Sequence, residues 1–281
     1  MTSKTQSQHV QIRPHVKLHC VVQGPVEGPV ILFSNSLSTN LHAWDSFVER
    51  LSSQPRFSQY CIVRYDHRGH GESPVETDEP CNFDLLAEDV ALLLDHLRIA
   101  RLNTFVGVSM GAATAAYFAA RYPERVERTV IADVLTHGPL NSSSDPFEQR
   151  IVLANTDNGR PLMEETLPRW FPDPQFLEKR PDVRLSIGNQ ILSTPVRGFV
   201  NAVRALQKFD LRPLLPKLKG GQVLIIVGEL DGPLPTTMRL LSDAVPGSKY
   251  VLIKGAGHLS FIDGEDQFLR AVSDFMKQES A

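Results

Sequence analysis

Cysteine is scarce in this chain. Its 281 residues hold three, Cys20, Cys61 and Cys81, an odd and scattered set that excludes a disulfide-built scaffold. Cys20 and Cys61 fall in strand-like runs and read as buried thiols, which points to a reducing, cytoplasmic setting. Long apolar runs are missing as well. No stretch reaches the roughly 20 residues that a bilayer-spanning helix needs, and residues 1–16 are polar, without the apolar core of a secretory signal. Neither sign of charge dominates: the formal net charge of −3 gives no electrostatic basis for binding nucleic acid or an anionic membrane. Internal repeats and low-complexity tracts are also lacking. What remains is an ordinary globular composition, 42% apolar and 22% charged, long enough for one large α/β domain or two smaller ones.

The pattern along the chain alternates. Residues 16–22, 30–33, 60–65, 102–106, 126–134, 223–227 and 250–253 read as strands, rich in β-branched residues. Residues 83–97 carry Leu85, Leu86, Val90, Leu93, Leu94 and Leu97 at helical spacing, and 112–122 and 267–276 read as further helices. Strands alternating with helices predict a mostly parallel sheet with helices on both faces. Between about 136 and 216 the β-branched runs thin out and helical patterns with prolines take over. That stretch is too long for a loop. It reads as a helical insertion over the carboxyl ends of the strands, where ligands of such sheets bind. The expected organisation is therefore a core from 1–135 and 217–281, with a helical cap at 136–216.

The chemistry centres on Gly107-Val108-Ser109-Met110-Gly111, set between a strand and a helix. Chance alone supplies such a pentapeptide in roughly one chain of this length in ten, so its setting carries the argument. A strand that turns sharply into a helix exposes a serine hydroxyl, and the helix N-terminus aims N–H groups at developing negative charge. Ser109 then needs a base and an acid later in the chain. Of nine histidines, only His258 follows the insertion, in a glycine-rich loop directly after the last strand. Three acids are candidates: Asp231 and Glu229 after the strand at 223–227, and Asp133 after an earlier strand. Two N–H donors must hold an oxyanion. Met110 supplies one, and the loop Phe33-Ser34-Asn35-Ser36-Leu37 is placed to supply the other.

Taken together, that loop, Tyr65-Asp66-His67-Arg68-Gly69-His70-Gly71, the serine pentapeptide, Gly228-Glu229-Leu230-Asp231 and Gly257-His258-Leu259-Ser260 resemble the α/β-hydrolase fold superfamily over nearly the whole chain. Asn35-Ser36-Leu37 and Arg169-Trp170-Phe171 look most like 3-oxoadipate enol-lactonases. The resemblance implies Asp231 as the acid that orients His258, and Leu37 as the second oxyanion donor with Ser36 as the alternative. It also implies hydrolysis of a small-molecule lactone or ester through an acyl-serine, without cofactor or metal. Alternatives are a general carboxylesterase, a hydrolase of secondary metabolites, or a hydrolase-fold binding protein that does no chemistry. A dehalogenase is disfavoured, because the nucleophile there is an aspartate.

Arg169 and Arg197, with Arg204, are candidates for a substrate carboxylate, since guanidinium groups bind carboxylates bidentately. Trp170 is a candidate pocket wall. His67 and His70 lie too close together in a glycine-rich loop to match a recognised metal spacing. Three departures from the family pattern stand out. Ala112 and Ser38 occupy positions where glycine is expected, and Asp133-Val134-Leu135-Thr136-His137 replaces small polar and alanine residues at the pocket edge.

Overall fold

Residues 30–34, 61–65 and 223–228 carry no polar–apolar alternation, and every one of them is buried. Successive strand side chains point to opposite faces, so these strands need cover on both sides. The computed structural model describes residues 5–74, 80–139 and 145–277. Parts of the expected core (1–4, 75–79 and 278–281) and of the expected insertion (140–144) lie outside the described residues.

The chain runs β1 (Gln6–Arg13), β2 (Val16–Gln23), β3 (Val30–Ser34), α1 (Asp45–Ser52), β4 (Cys61–Tyr65), α2 (Phe83–His96), β5 (Leu102–Val108), α3 (Met110–Arg121) and β6 (Val126–Ala132). Five helices follow: α4 (Pro146–Ala154), α5 (Arg160–Trp170), α6 (Pro174–Lys179), α7 (Pro181–Ser193) and α8 (Val196–Lys208). The chain then returns as β7 (Val223–Gly228), α9 (Leu234–Asp243), β8 (Lys249–Ile253), α10 (Ser260–Asp263) and α11 (Glu265–Met276). The strands form one eight-stranded sheet in the order β1-β2-β4-β3-β5-β6-β7-β8. β1, β2 and β4 pair antiparallel, and the pairs from β4 through β8 are parallel. The expected α/β architecture is therefore present.

The residue pattern marks neither β1 nor α1, α9 and α10. β1 is an edge strand paired only with β2, and most of its residues meet water, so it needs no apolar run and shows none. Inside the sheet the burial is continuous: Phe105, Val106 and Val108 on β5 and Val130 and Ile131 on β6 are fully buried. α2 packs against α3, and α1 against α11. Among the inserted helices, α4 packs against α5 and α8, and α5 against α7. Asn82 caps α2 by accepting from the Leu85 N–H, and Asp145 caps α4 by accepting from Phe147, which removes orphan donors at both helix starts. The three cysteines are buried free thiols. Among the described residues no helix is long and apolar enough to cross a membrane.

Candidate active site

The turn between β5 and α3 is as tight as its glycines allow. A Cβ at Gly107 would lie 2.2 Å from the Gly111 carbonyl oxygen, and one at Gly111 would lie 2.3 Å from the Ser34 carbonyl oxygen. Only glycine lets α3 start this close to β3 and β5. Ser109, at the apex, has φ +55° and ψ −116°, a region that costs a non-glycine residue on the order of 1–3 kcal/mol. The backbone around it holds that conformation, in part through the Ser109 N–H bond to Ala132 O at 2.8 Å.

His258 Nε2 lies 3.0 Å from Ser109 Oγ, and His258 Nδ1 lies 2.7 Å from Asp231 Oδ2. Of the three candidate acids, Asp231 thus meets the imidazole. Glu229 turns away and accepts from the Gly255 N–H at 2.9 Å. Asp133 is fully buried and accepts from the Gly228 N–H and Ser260 Oγ. Neighbouring loops tie the histidine loop down: the Leu230 N–H donates to Ala256 O, and the His258 N–H to Trp170 O. Trp170 is buried, with its ring 6.0 Å from the His258 ring at an interplanar angle of 24°.

These side chains line a cavity of about 360 Å³. Ser36 and Leu37 form part of its wall beside Ser109, Asp231 and His258. Neither the Leu37 nor the Met110 N–H has an acceptor among the described residues, so both are free for an oxyanion. Asn35 holds the loop, its side-chain amide donating to Tyr65 O at 2.8 Å. Ser38, where glycine was expected, has φ +62°, and a serine there carries roughly 1–2 kcal/mol of backbone cost.

The far wall is apolar: Val134, Leu135, Phe147, Leu206, Phe209 and Leu234. Two cations stand in it, Arg169 and Arg150. Arg169 is exposed by surface, but protein atoms crowd its guanidinium, and this desolvation, with the charge of Arg150 adding to it, pushes its pKa down to about 10. Burial also pushes Arg150 down, and its Nε is buried without a hydrogen bond, 3.9 Å from Glu165 Oε1. The sequence reading misses Arg150, since nothing in the pattern of α4 marks which side faces the cavity. Arg197 is the converse case. It lies on the exposed side of α8, outside the cavity wall, because Phe199, Ala202, Val203 and Leu206 turn the other side inward. Arg204 pairs with Glu148 at the surface.

A second chain of the same kind shows what such bonds need. Ser7 Oγ meets His19 Nε2 at 2.9 Å, and His19 Nδ1 meets Asp66 Oδ2 at 2.9 Å. Yet Ser7 sits within a strand, paired with Val21, and none of the three lines the cavity. His67 and His70 are buried beside this region. His67 Nε2 lies 3.0 Å from Ser34 Oγ, and burial pushes its imidazole down to about 3.

A family model for the alpha/beta hydrolase fold matches residues 29–265. The chain belongs to that family. The hydrolase is 34% identical over 262 residues to 3-oxoadipate enol-lactonase 1 of Acinetobacter baylyi, covering 91% of each chain. It is 29% identical over 265 residues to enol-lactonase 2 of the same organism, covering 94% of each. Among solved structures, the enol-lactonase from Burkholderia xenovorans LB400 superposes with a TM-score of 0.86 at 32% identity, over 96% of the hydrolase and all of that chain.

Proposed function

We propose that the hydrolase opens an enol-lactone that carries a carboxylate, through an acyl-enzyme on Ser109. The observation that carries this reading is the hydrogen-bonded chain from Ser109 through His258 to Asp231 at the wall of a cavity that also holds Arg150 and Arg169. The likeness to enol-lactonases supports the choice of substrate. In this reading residues 136–216 act as the cap that shapes the pocket, and 1–135 with 217–281 as the catalytic core. The three buried thiols suit a reducing cytoplasm.

Ser109 Oγ attacks the lactone carbonyl carbon and gives its proton to His258 Nε2. Asp231 holds the imidazole in one tautomer and stabilises the imidazolium without taking a proton. The Leu37 and Met110 N–H groups bond the oxyanion, a stabilisation realised mostly in the transition state. Collapse breaks the ring C–O bond, and His258 returns the proton to the departing oxygen, which leaves as an enol still tethered to the acyl chain. Water then attacks the ester with His258 as base, and a second collapse frees Ser109 and the acid. Arg169 and Arg150 bind the substrate carboxylate, and Trp170 backs the imidazole.

Ser109→Ala is expected to lower turnover of the enol-lactone by at least about 10⁴-fold and to abolish labelling by a fluorophosphonate. Wild-type turnover in that variant would sink the mechanism. An unlabelled Ser109 in the wild type would favour a binding protein. The apolar wall supports a second reading, a carboxylesterase for neutral esters. A higher kcat/KM for linear aryl esters than for the enol-lactone would favour it.

A further inference from the structure

Asp133 touches groups that flank all three members of the chain at Ser109. It follows Ala132, whose carbonyl accepts from the Ser109 N–H, and its own N–H donates to Ile226 O on β7 at 3.0 Å. Its Oδ1 accepts from the Gly228 N–H at 2.8 Å, three residues before Asp231. Its Oδ2 meets Ser260 Oγ at 2.5 Å, two residues after His258. The side chain is fully buried and has no ion pair among the described residues. We propose that Asp133 is a positioning residue that sets the spacing of the Ser109, Asp231 and His258 loops, and that it does so as an uncharged acid. The inference rests on the acyl-serine reading above.

The uncharged form follows from the surroundings. Asp231 needs its charge to hold the imidazolium, whereas Asp133 faces an amide N–H and a hydroxyl. As a carboxylate it accepts from both, Ser260 Oγ donating; a neutral carboxyl keeps both contacts, its carbonyl oxygen accepting from the Gly228 N–H and its own O–H turning the Ser260 bond round, since the serine hydroxyl both donates and accepts. The titratable groups around it are Asp231, His258 and Asp263, and the two acids repel a charge at 133. Burial first, and then the Asp231 charge, push the Asp133 carboxyl well above the ordinary range.

Asparagine matches the bonds of a neutral aspartic acid, accepting with one atom and donating with the other. Asp133→Ala should lower kcat at least tenfold with KM changed less than threefold. Asp133→Asn should recover kcat to within about fivefold of the wild type, and leave the acid limb of the kcat/KM profile within about half a pH unit. Should the alanine variant not fold, Ser260→Ala removes one of the two bonds and should lower kcat severalfold. Wild-type kcat in Asp133→Ala, or in Ser260→Ala, would overturn the positioning role. If Asp133 is charged, Asp133→Asn removes a negative charge beside His258, and the acid limb moves to lower pH by more than half a unit. That shift would overturn the uncharged assignment. Ser109→Ala, run in parallel, keeps the readings apart: an active Ser109→Ala removes the acyl-serine reading, whereas an inactive one beside a fully active Asp133→Ala removes only this inference.

Discussion

Arg169 and Arg150 share one small cavity; desolvation weakens the hold of each on its proton, and the charge of Arg150 weakens that of Arg169 further. Two crowded cations form a site that gains from an anion, because a carboxylate offers both charge and acceptors to donors such as Arg150 Nε, which makes no hydrogen bond and has Glu165 Oε1 no nearer than 3.9 Å. Arg169 also lies with its Cζ 5.9 Å from the Trp170 ring centroid, which fixes it near His258. Arg169→Gln keeps much of the shape and removes the charge. It should raise KM for the carboxylate-bearing lactone by about tenfold or more, the equivalent of at least one charge-assisted hydrogen bond, and change KM for a neutral aryl ester little. An equal loss on both substrates would remove the carboxylate role and leave Arg169 as packing. The place of Arg150 in the cavity wall was not legible in the sequence. Its helix is short and only Phe147 and Ala154 are buried on it, so no periodic stripe identified the inward side. Arg197 misled for the matching reason: its neighbours on α8, not its own chemistry, decide where it points.

Turns between elements carried most of what was legible. Ser109, Asp231 and His258 each follow a strand through a glycine-bearing loop, and the reason is steric. Besides Gly107 and Gly111, a Cβ at Gly228 would lie 2.1 Å from the Gly257 carbonyl oxygen, and one at Gly257 would lie 2.3 Å from the Trp170 carbonyl oxygen. Such backbone-to-backbone approaches leave a mark in the sequence, whereas the polar edge strand β1 needs no special residue and left none. The contact of α5 with the histidine loop, through Trp170 O and the His258 N–H, was invisible too, since any residue supplies those atoms. Gly111→Ala tests the close approach directly. The new methyl meets Ser34 O, a backbone atom that cannot rotate away, so α3 must shift from β3. Overpacking of this kind costs about 1–3 kcal/mol, which for a chain of this size lowers the melting temperature by roughly 2–10 °C. The same shift moves the Met110 N–H away from the oxyanion position and should cut kcat at least about tenfold. A variant with wild-type kcat and melting temperature would show that the turn between β5 and α3 has slack.

Across the whole molecule, buried acids and buried imidazoles oppose one another as pH changes. His67 and His70 are buried and neutral, and burial holds both below the ordinary imidazole value of 6.5. Below pH 6.5 the unfolded chain takes up protons there that the folded chain refuses, so these two groups lower stability as pH falls. Asp133 and Asp263 act in the other direction. Burial raises both above the ordinary 3.8, Asp263 to about 7, so above pH 3.8 the unfolded chain loses protons that the folded chain keeps, and stability drops as pH rises. Between 3.8 and 6.5 the buried imidazoles and the buried carboxyls tilt stability in opposite directions, and their slopes offset. Above 6.5 the imidazoles stop contributing and the carboxyls act alone, Asp263 ionising in the folded state near 7 and Asp133 raised in the same direction. His42, raised by its bond to Asp45, adds to the loss on that side. The melting temperature should therefore be nearly flat from about pH 4.5 to 6.5 and fall by on the order of 5 °C between pH 6.5 and 8. Asp263→Asn keeps an acceptor for the Gly257 N–H, which donates to Asp263 Oδ2 at 2.7 Å in the native protein, and removes the titration. Its fall from pH 6.5 to 8 should be shallower than that of the wild type. A wild-type midpoint that rises over that interval would mean that the carboxyls are ionised in the folded protein, and that the charge around the His258 loop is arranged differently from this account.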